Sequence, residues 1–587
     1  MALDAICLTA VKEELSGRIT GMKIDKVQQP ERDTIILSLR GGDAPTCRLL
    51  ISAGTGDARI HLSEYKFDNP SSPPMFCMLM RKHLIGARIT GITQPPAERI
   101  LKLMLQAPDA MGFVSEKCLI VEFIGRSSNI ILADSDGIII DCLRRIGGDL
   151  SDKRAVLPGL LYRLPPAQQG KLDPLTVSAG KWQDMFSRAA GKTADEWLLT
   201  NFAALSPLIC REISWRAYGQ TDIRIEKISD SGAALGDAFF ALIDQAVSGR
   251  FEPWMVANLD NSPRDFSYTQ IKQYENALNT QPYESFSSLL DDYYTRAAQI
   301  ARVRQRAAAT SKTIKTAHDR LVRKLAAQKT ELEATADRDS HRECADIITA
   351  NLHLMKKGQS ILTAQDFYSE NGGTREIALD PRKTPQQNAQ KYYKDYTKAK
   401  NKERFLKEQI RLGETELEYL KSVVIEIELA DGARGLSEIQ SELMHTGYIK
   451  SQKNAKAKPV ESEPMRFVSS NGMQISVGKN NTQNDRLTLK TAAKSDVWLH
   501  TQKSHGAHVI ISCHAGPPDE DTLFEAASIA AHYSAARSGG KVPVDYTLVK
   551  QVKKPPGGRP GMVIYTDFKT IIATPDEELI KRLRSKP

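Results

Sequence analysis

The sequence has no short Cys-x-x-C pair. Its eight cysteines, Cys7, Cys47, Cys77, Cys118, Cys142, Cys210, Cys344 and Cys513, are scattered, which gives neither a disulfide framework nor a zinc ribbon and suits a reducing cytosol. No apolar run approaches the roughly 18–20 residues of a membrane-spanning helix. Residues 1–17 place Asp4, Glu13 and Glu14 inside their apolar pattern, so an amphipathic helix is expected there rather than a secretory signal. Catalytic signatures are also missing. Gly191, Lys192 and Thr193 resemble the end of a phosphate loop, but Phe186 stands where the first glycine of the cradle belongs, and no G-x-S-x-G elbow or dinucleotide fingerprint occurs. His500, His505 and His508 lie near Cys513 and His514, yet their spacing fits neither a zinc finger nor an H-E-x-x-H site. The expectation is a chain with no catalytic residue, no metal and no cofactor.

What the chain does have is length and one-signed charge. Its 587 residues allow several domains, and 80 Lys and Arg against 71 Asp and Glu give a net charge of +9. Two stretches, 285–332 and 386–424, carry an apolar seam stepping four then three residues. The first seam includes Leu290, Ile300, Ile314, Leu321 and Leu325, the second Tyr392, Leu406, Ile410, Leu417 and Leu420. That period predicts a coiled coil, and antiparallel pairing makes a hairpin roughly 60–70 Å long with 334–384 at its tip. The outbound arm carries Arg296, Arg302, Arg304, Arg306, Lys312, Lys315, Arg320, Arg323, Lys324 and Lys329, with Asp319 the one acid among them. A solvated coiled coil usually interleaves signs, so this arm reads as facing RNA, the alternative being an ordinary solvated face.

An internal repeat fills the N-terminal part. At an offset of 65 residues Gly21 matches Gly86, Ile24 matches Ile89, Gln29-Pro30 match Gln94-Pro95 and Asp33 matches Glu98. Alternating strands are expected over 34–39, 100–105, 119–123, 130–133 and 138–141, giving a duplicated β-sandwich or barrel with flanking helices. Residues 180–280 turn helical, with Ser206 before Pro207 as a helix start, and suit a helix-hairpin-helix module. Residues 451–464 read as a polar linker. From 465 the pattern becomes α/β, with strands over 475–477, 497–500, 508–512, 546–549 and 562–565 and a helix over 523–536.

Three loops are rich in donors. Gly125, Arg126, Ser127, Ser128 and Asn129 follow a strand; Lys479, Asn480, Asn481, Asn484 and Asp485 form a polar turn; Lys550, Lys553, Lys554 and Arg559 sit in a loop held open by Pro and Gly. Such loops bring cations and N–H groups to phosphates, though each could instead be a surface hairpin. His500 and His508 are expected in an RNA-contacting sheet.

Six stretches, Gln94 to Ile100, Gly125 to Asn129, Leu379 to Pro385, Val477 to Asp485, Asp496 to Thr501 and Lys541 to Lys550, closely resemble the NFACT family, in particular its bacterial ribosome-quality-control members, along essentially the whole chain. The resemblance implies a multidomain α+β protein: an NFACT-N domain over 1–178, a helix-hairpin-helix module over 179–280, a coiled coil over 281–435 with an insert near 334–384, a linker over 436–464 and an NFACT-R RNA-binding domain over 465–587, where the chain stops, as bacterial members do. It implies an adaptor without an active site in the cytoplasm, off the membrane, that binds a stalled 50S subunit carrying peptidyl-tRNA and delivers alanyl-tRNA for an alanine tail marking the chain for degradation. NFACT-N and NFACT-R would grip the tRNA, expected as tRNA-Ala, and the coiled coil, through Arg302, Arg304, Arg306, Lys312, Lys315, Arg323 and Lys324, would reach 23S rRNA near the stalk base. A family Asp-Arg pair needed for tailing falls on Glu98 and Arg99, the acid longer here by one methylene. The family's Pro-Gly-Ser-His is replaced by His505, Gly506, Ala507 and His508, so that serine's role is lost. Two other readings stand beside this one: a fibronectin-binding surface adhesin, and a DNA glycosylase-like protein, the latter opposed by a start, Met1-Ala2-Leu3-Asp4, without the N-terminal proline nucleophile.

Overall fold

The computed structural model describes residues 3–584 except 42–45, 109–112, 148–153, 167, 169, 276, 370–371, 431, 451–461 and 515, so most of the expected 451–464 linker lies outside the described residues. The chain divides into two compact units, 1–300 and 301–587.

In the first unit, α1 (Ala5–Ile19) starts on Asp4, whose carboxylate accepts from the Cys7 N–H at 2.8 Å. It leads into β1 (Lys23–Glu31), β2 (Thr34–Arg40), β3 (Cys47–Ser52) and β4 (Arg59–Leu62). The second copy is α2 (Met75–Leu84), β5 (Arg88–Thr93), β6 (Ile100–Pro108), β7 (Val114–Glu122), β8 (Asn129–Asp134) and β9 (Ile139–Cys142). The sandwich or barrel expected from the repeat is instead one antiparallel nine-stranded sheet, ordered β4-β3-β2-β1-β5-β6-β7-β8-β9. The two copies meet at β1 and β5 by exchange: Gly21 N–H donates to the Ile89 carbonyl at 2.7 Å, and Gly86 N–H to that of Ile24 at 2.8 Å. Both glycines have positive φ, +86° and +83°, a turn that other residues make at a cost.

The helical module holds α3 (Ala179–Phe186), α4 (Ala194–Asn201), α5 (Pro207–Tyr218) and α6 (Ala233–Val247), followed by a small sheet of β10 (Trp254–Ala257), β11 (Pro263–Ser267) and β12 (Asn279–Pro282). Ser206 caps α5 as expected, accepting from the Ile209 N–H at 3.4 Å. One apolar core includes Leu15, Leu103, Trp182, Phe239 and Leu290, so sheet and helices stabilise each other across residue 178. The root of α7 (Phe286–Glu333) is tied to this body. Glu14 accepts from the N–H groups of Phe286 and Ser287 at 2.5 and 3.1 Å, covering helix-start donors that would otherwise lack partners. Asp291 accepts from the Ser63 hydroxyl at 2.6 Å and the Glu64 N–H at 3.0 Å.

In the second unit α7 continues, followed by α8 (Arg338–Ala350), the hairpin β13 (Ile361–Gln365) and β14 (Thr374–Ala378), and the return arm α9 (Pro385–Leu429). Thr384 and Gln387 form a capping box ahead of Pro385. The arms pair antiparallel: Ile314, Leu321 and Leu325 cluster with Ile410 and Leu420, and Lys329 bridges Glu414 at 2.7 Å while Glu331 bridges Lys402 at 3.1 Å. The stretch expected as a linker from 436 begins as helix: α10 (Gly432–His445) buries Leu436, Ile439 and Leu443, the last two against the same seam.

The C-terminal body is a six-stranded antiparallel sheet, β15 (Met465–Val468), β16 (Gln474–Val477), β17 (Val497–Thr501), β18 (Val509–Ile511), β19 (Val542–Leu548) and, beyond a two-stranded ribbon of β20 (Val552–Lys553) and β21 (Ile564–Tyr565), β22 (Lys569–Ala573). Its order is β15-β16-β18-β17-β19-β22. The short α11 (Asn481–Arg486) follows β16. Helix α12 (Glu520–His532) covers one face, with α13 (Glu577–Leu583) beside it. Buried Trp498, Ile510, Val549 and Val552 pack on the other.

Candidate nucleic-acid interface

In the first unit the Glu98–Arg99 pair sits on a loop held from both sides. Gln94 donates to the carbonyls of Ala5 and Glu98, both at 2.9 Å, and accepts from the Thr9 hydroxyl at 2.9 Å. Ala97 takes φ +56°, a conformation uncommon outside glycine, and the Arg99 carbonyl accepts from the Phe123 N–H at 2.9 Å. Loop, α1 and the start of α5 enclose a cleft of about 260 Å³ whose lining includes Asp4, Glu98, Arg99, Lys171, Phe202 and Ser206. Asp4 is buried and also accepts from the Ser206 N–H at 3.2 Å, and burial pushes its carboxyl up to about 6. Burial likewise raises Glu98 and lowers Arg99, whose charge Asp4 and Glu98 support. Cations and carboxyls thus converge on a cleft where a phosphate or a polar base edge can pair with a planar guanidinium.

The turn after β7 divides. Arg126 and Ser127 are exposed, whereas Ser128 and Asn129 are buried and engaged. Ser128 donates to the Gly125 carbonyl at 2.9 Å, and Asn129 donates to the Arg144 carbonyl at 2.8 Å while accepting from its N–H at 2.9 Å. Those two side chains shape the turn, and Arg126 is the cation it presents to solvent.

On α7 the expected cations Arg302, Arg304, Arg306, Lys312, Lys315, Arg323 and Lys324 are all exposed along the arm. Arg306 donates to Gln440 at 2.7 Å, and Arg323 to the Asp319 carbonyl at 3.2 Å. Lys329, further out on the same helix, is instead held by its ion pair with Glu414.

The polar turn of the C-terminal body is an internal latch rather than a surface. Asn480 accepts from the Gln483 N–H at 2.8 Å and donates to Glu438 at 2.8 Å; Asn481 donates to Ser422 at 2.9 Å. Thr482 meets Glu442, and Asn484 accepts from the His508 N–H at 3.1 Å. Asp485 accepts from the Gly561 N–H at 2.9 Å and pairs with Lys554. A Cβ on Gly478 would collide with the Asn484 amide oxygen, and one on Gly561, at φ +77°, with that of Asn481. The amide donors expected to meet phosphates at Asn480 and Asn481 are therefore committed to α10 and α9, and the Asn484 amide oxygen to the sheet; Lys479 is half-buried, its N–H donating to Gln483 at 2.8 Å. The two histidines also have protein neighbours. His508 is 1% exposed, faces the Thr488 hydroxyl at 2.8 Å and is held neutral by burial; His500 stacks on Trp498 and burial lowers it to about 4.

Of the basic loop, Lys550 and Lys553 are exposed, Lys554 is taken by Asp485, and the Arg559 guanidinium lies over the Tyr419 ring at 5.7 Å. The described residues contain no group of three or more His, Cys, Asp or Glu able to hold a metal, and no helix among them is long and apolar enough to cross a membrane.

Comparison with known proteins identifies a family. The model of the NFACT N-terminal and middle domains matches residues 4–462, and that of the NFACT protein RNA-binding domain matches 464–566. A Bacillus subtilis protein named Rqc2 homolog RqcH is 34% identical over 588 residues, spanning 100% of both chains. The human ribosome quality control complex subunit NEMF is 30% identical over 141 residues, 24% of this chain and 12% of that one. A solved C-terminal part of the fibronectin/fibrinogen-binding protein from Streptococcus suis is 31% identical, covers 49% of this chain and all of its own, and aligns with a TM-score of 0.40.

Proposed function

Because this chain belongs to the NFACT family and carries that family's N-terminal, middle and RNA-binding domains in order, we propose that it is a ribosome-quality-control adaptor. It binds a stalled 50S subunit holding peptidyl-tRNA and brings alanyl-tRNA to it, so that the nascent chain gains a C-terminal alanine tail and is marked for degradation. The ribosome forms the peptide bond; this protein supplies binding and orientation in the cytoplasm, where ribosomes work. Arg99 in its cleft and the exposed loop cations Arg126, Lys550 and Lys553 contact tRNA, and the α7 face contacts 23S rRNA near the stalk base.

The observation that carries the reading is the full-length correspondence to a protein named as an Rqc2 homolog, and the cationic face of α7 supports it. A polyanion as large as a ribosomal subunit suits such an arm, since each phosphate neutralised releases condensed counterions. The test is reconstitution. Purified protein, 50S subunits carrying a peptidyl-tRNA and a mixture of aminoacyl-tRNAs are incubated, and the peptide is weighed by mass spectrometry. Added masses in multiples of alanine are expected; an unextended peptide contradicts the proposal.

A further inference from the structure

Phe568, immediately before edge strand β22, is 46% exposed, and Ile564 on β21 is 54% exposed. The ring is held in place rather than left to swing. The Thr547 hydroxyl bridges the carbonyls of Thr566 at 3.1 Å and Asp567 at 2.9 Å, and Asp567 takes φ +53°. Phe568 meets Tyr565 edge-on at 5.3 Å, Tyr565 packs on the fully buried Trp498 at 4.8 Å, and its hydroxyl donates to Asp545 at 2.8 Å. The exposed ring thus ends an aromatic column rooted in the core.

Cations flank it. Lys569 follows it in sequence, and Lys553 lies opposite Ile564 in the β20–β21 ribbon. Lys550 begins that ribbon's approach, and its N–H donates to the Lys494 carbonyl at 3.3 Å, bringing in a fourth lysine. All four are exposed, and none is ion-paired among the described residues. An apolar protein surface laid on Phe568 would strip water from these ammonium groups without giving them partners. A single RNA strand satisfies both features, with a base on the ring and phosphates on the lysines.

We infer that Phe568 is a stacking platform for one unpaired nucleobase, with Lys550, Lys553 and Lys569 holding the flanking phosphates. The inference rests on the RNA-binding reading above and adds a place and a ligand class to it. The test uses the full chain and two probes, a short single-stranded RNA carrying one 2-aminopurine and a blunt RNA duplex of equal charge. Wild type is expected to quench the 2-aminopurine on binding. Phe568→Ala is expected to bind the single strand roughly tenfold more weakly and to lose the quench, while duplex binding stays within about twofold. Phe568→Trp restores both signals and Phe568→Leu, apolar without a ring, does not. Wild-type binding and quenching by the Ala or Leu variant overturns the platform while leaving RNA binding standing. Failure of wild type to bind either probe or tRNA overturns the RNA reading itself.

Discussion

Glu442 grips Thr482 twice: one carboxylate oxygen accepts from the Thr482 hydroxyl at 2.7 Å and from its N–H at 3.1 Å, while the other accepts from the Tyr419 hydroxyl at 2.8 Å. Thr482 belongs to the RNA-binding domain, and Glu442 and Tyr419 to the helices beneath it. These bonds fasten that domain to the base of the coiled coil. Glu442→Ala leaves three donors without their acceptor, so a loss of stability on the order of 3 kcal/mol is expected, read as a lower melting temperature for the second unit's transition. Glu442→Gln keeps one acceptor and falls between.

Glu426, on α9 near Asn481, is the opposite case. It is 8% exposed, one of its oxygens has no partner, and burial together with the charge of Glu442 raises its carboxyl well above the usual 4.5. A carboxyl raised on folding stabilises fully below its unfolded value and loses that contribution as pH climbs through the folded one. The wild-type melting temperature should therefore decline from about pH 5 upward. Glu426→Gln, neutral at every pH, should flatten the decline and melt higher at pH 8. Parallel curves for the two proteins would refute this.

Arg99 is half-buried in its cleft, so its loss tests recognition more than folding. Arg99→Ala is expected to weaken tRNA binding by about 10–100-fold, the range of one charge-assisted bidentate pairing, and to abolish tailing with the melting temperature nearly unchanged. Arg99→Lys keeps the charge and loses the fork, and should recover only part of the affinity. Fluorescence anisotropy with labelled tRNA reads both.

On the proposed function the α7 cations act by charge. Replacing Lys312, Lys315, Arg323 and Lys324 together by alanine should leave helix content unchanged, since all four are exposed. It should weaken 50S binding and flatten its salt dependence, by roughly 0.7–0.9 in log–log slope for each phosphate no longer neutralised. An unaltered slope would place the subunit elsewhere on the protein.

Much of this was legible in the sequence where one residue's role depends on near neighbours. The four-three seam gives α7 and α9 because Leu321, Leu325 and Ile410 must face one another, and the 65-residue echo marks Gly21 and Gly86 as equivalent positions without revealing the hydrogen bonds the two copies exchange. Ser206 and Thr384 mark helix starts by local hydrogen bonds. What stayed hidden depends on distant partners. Asn480, Asn481 and Asn484 have the same donors whether they meet phosphate or protein; only Glu438, some forty residues earlier, decides for Asn480. Ile439 and Leu443 are separated by polar residues and read as linker until the seam they cover is seen. Phe568, between β21 and β22, gives no sign in the sequence that Tyr565 and Trp498 stand behind it.

On the proposed function RNA is the ligand of these cationic surfaces. Ultraviolet cross-linking in cells, followed by sequencing of RNA attached to the purified protein, tests it most directly. Enrichment of 23S rRNA and of transfer RNA, alanine-accepting species foremost, is the predicted result. Cross-linked RNA that mirrors cellular abundance, or none above an untagged control, would contradict it.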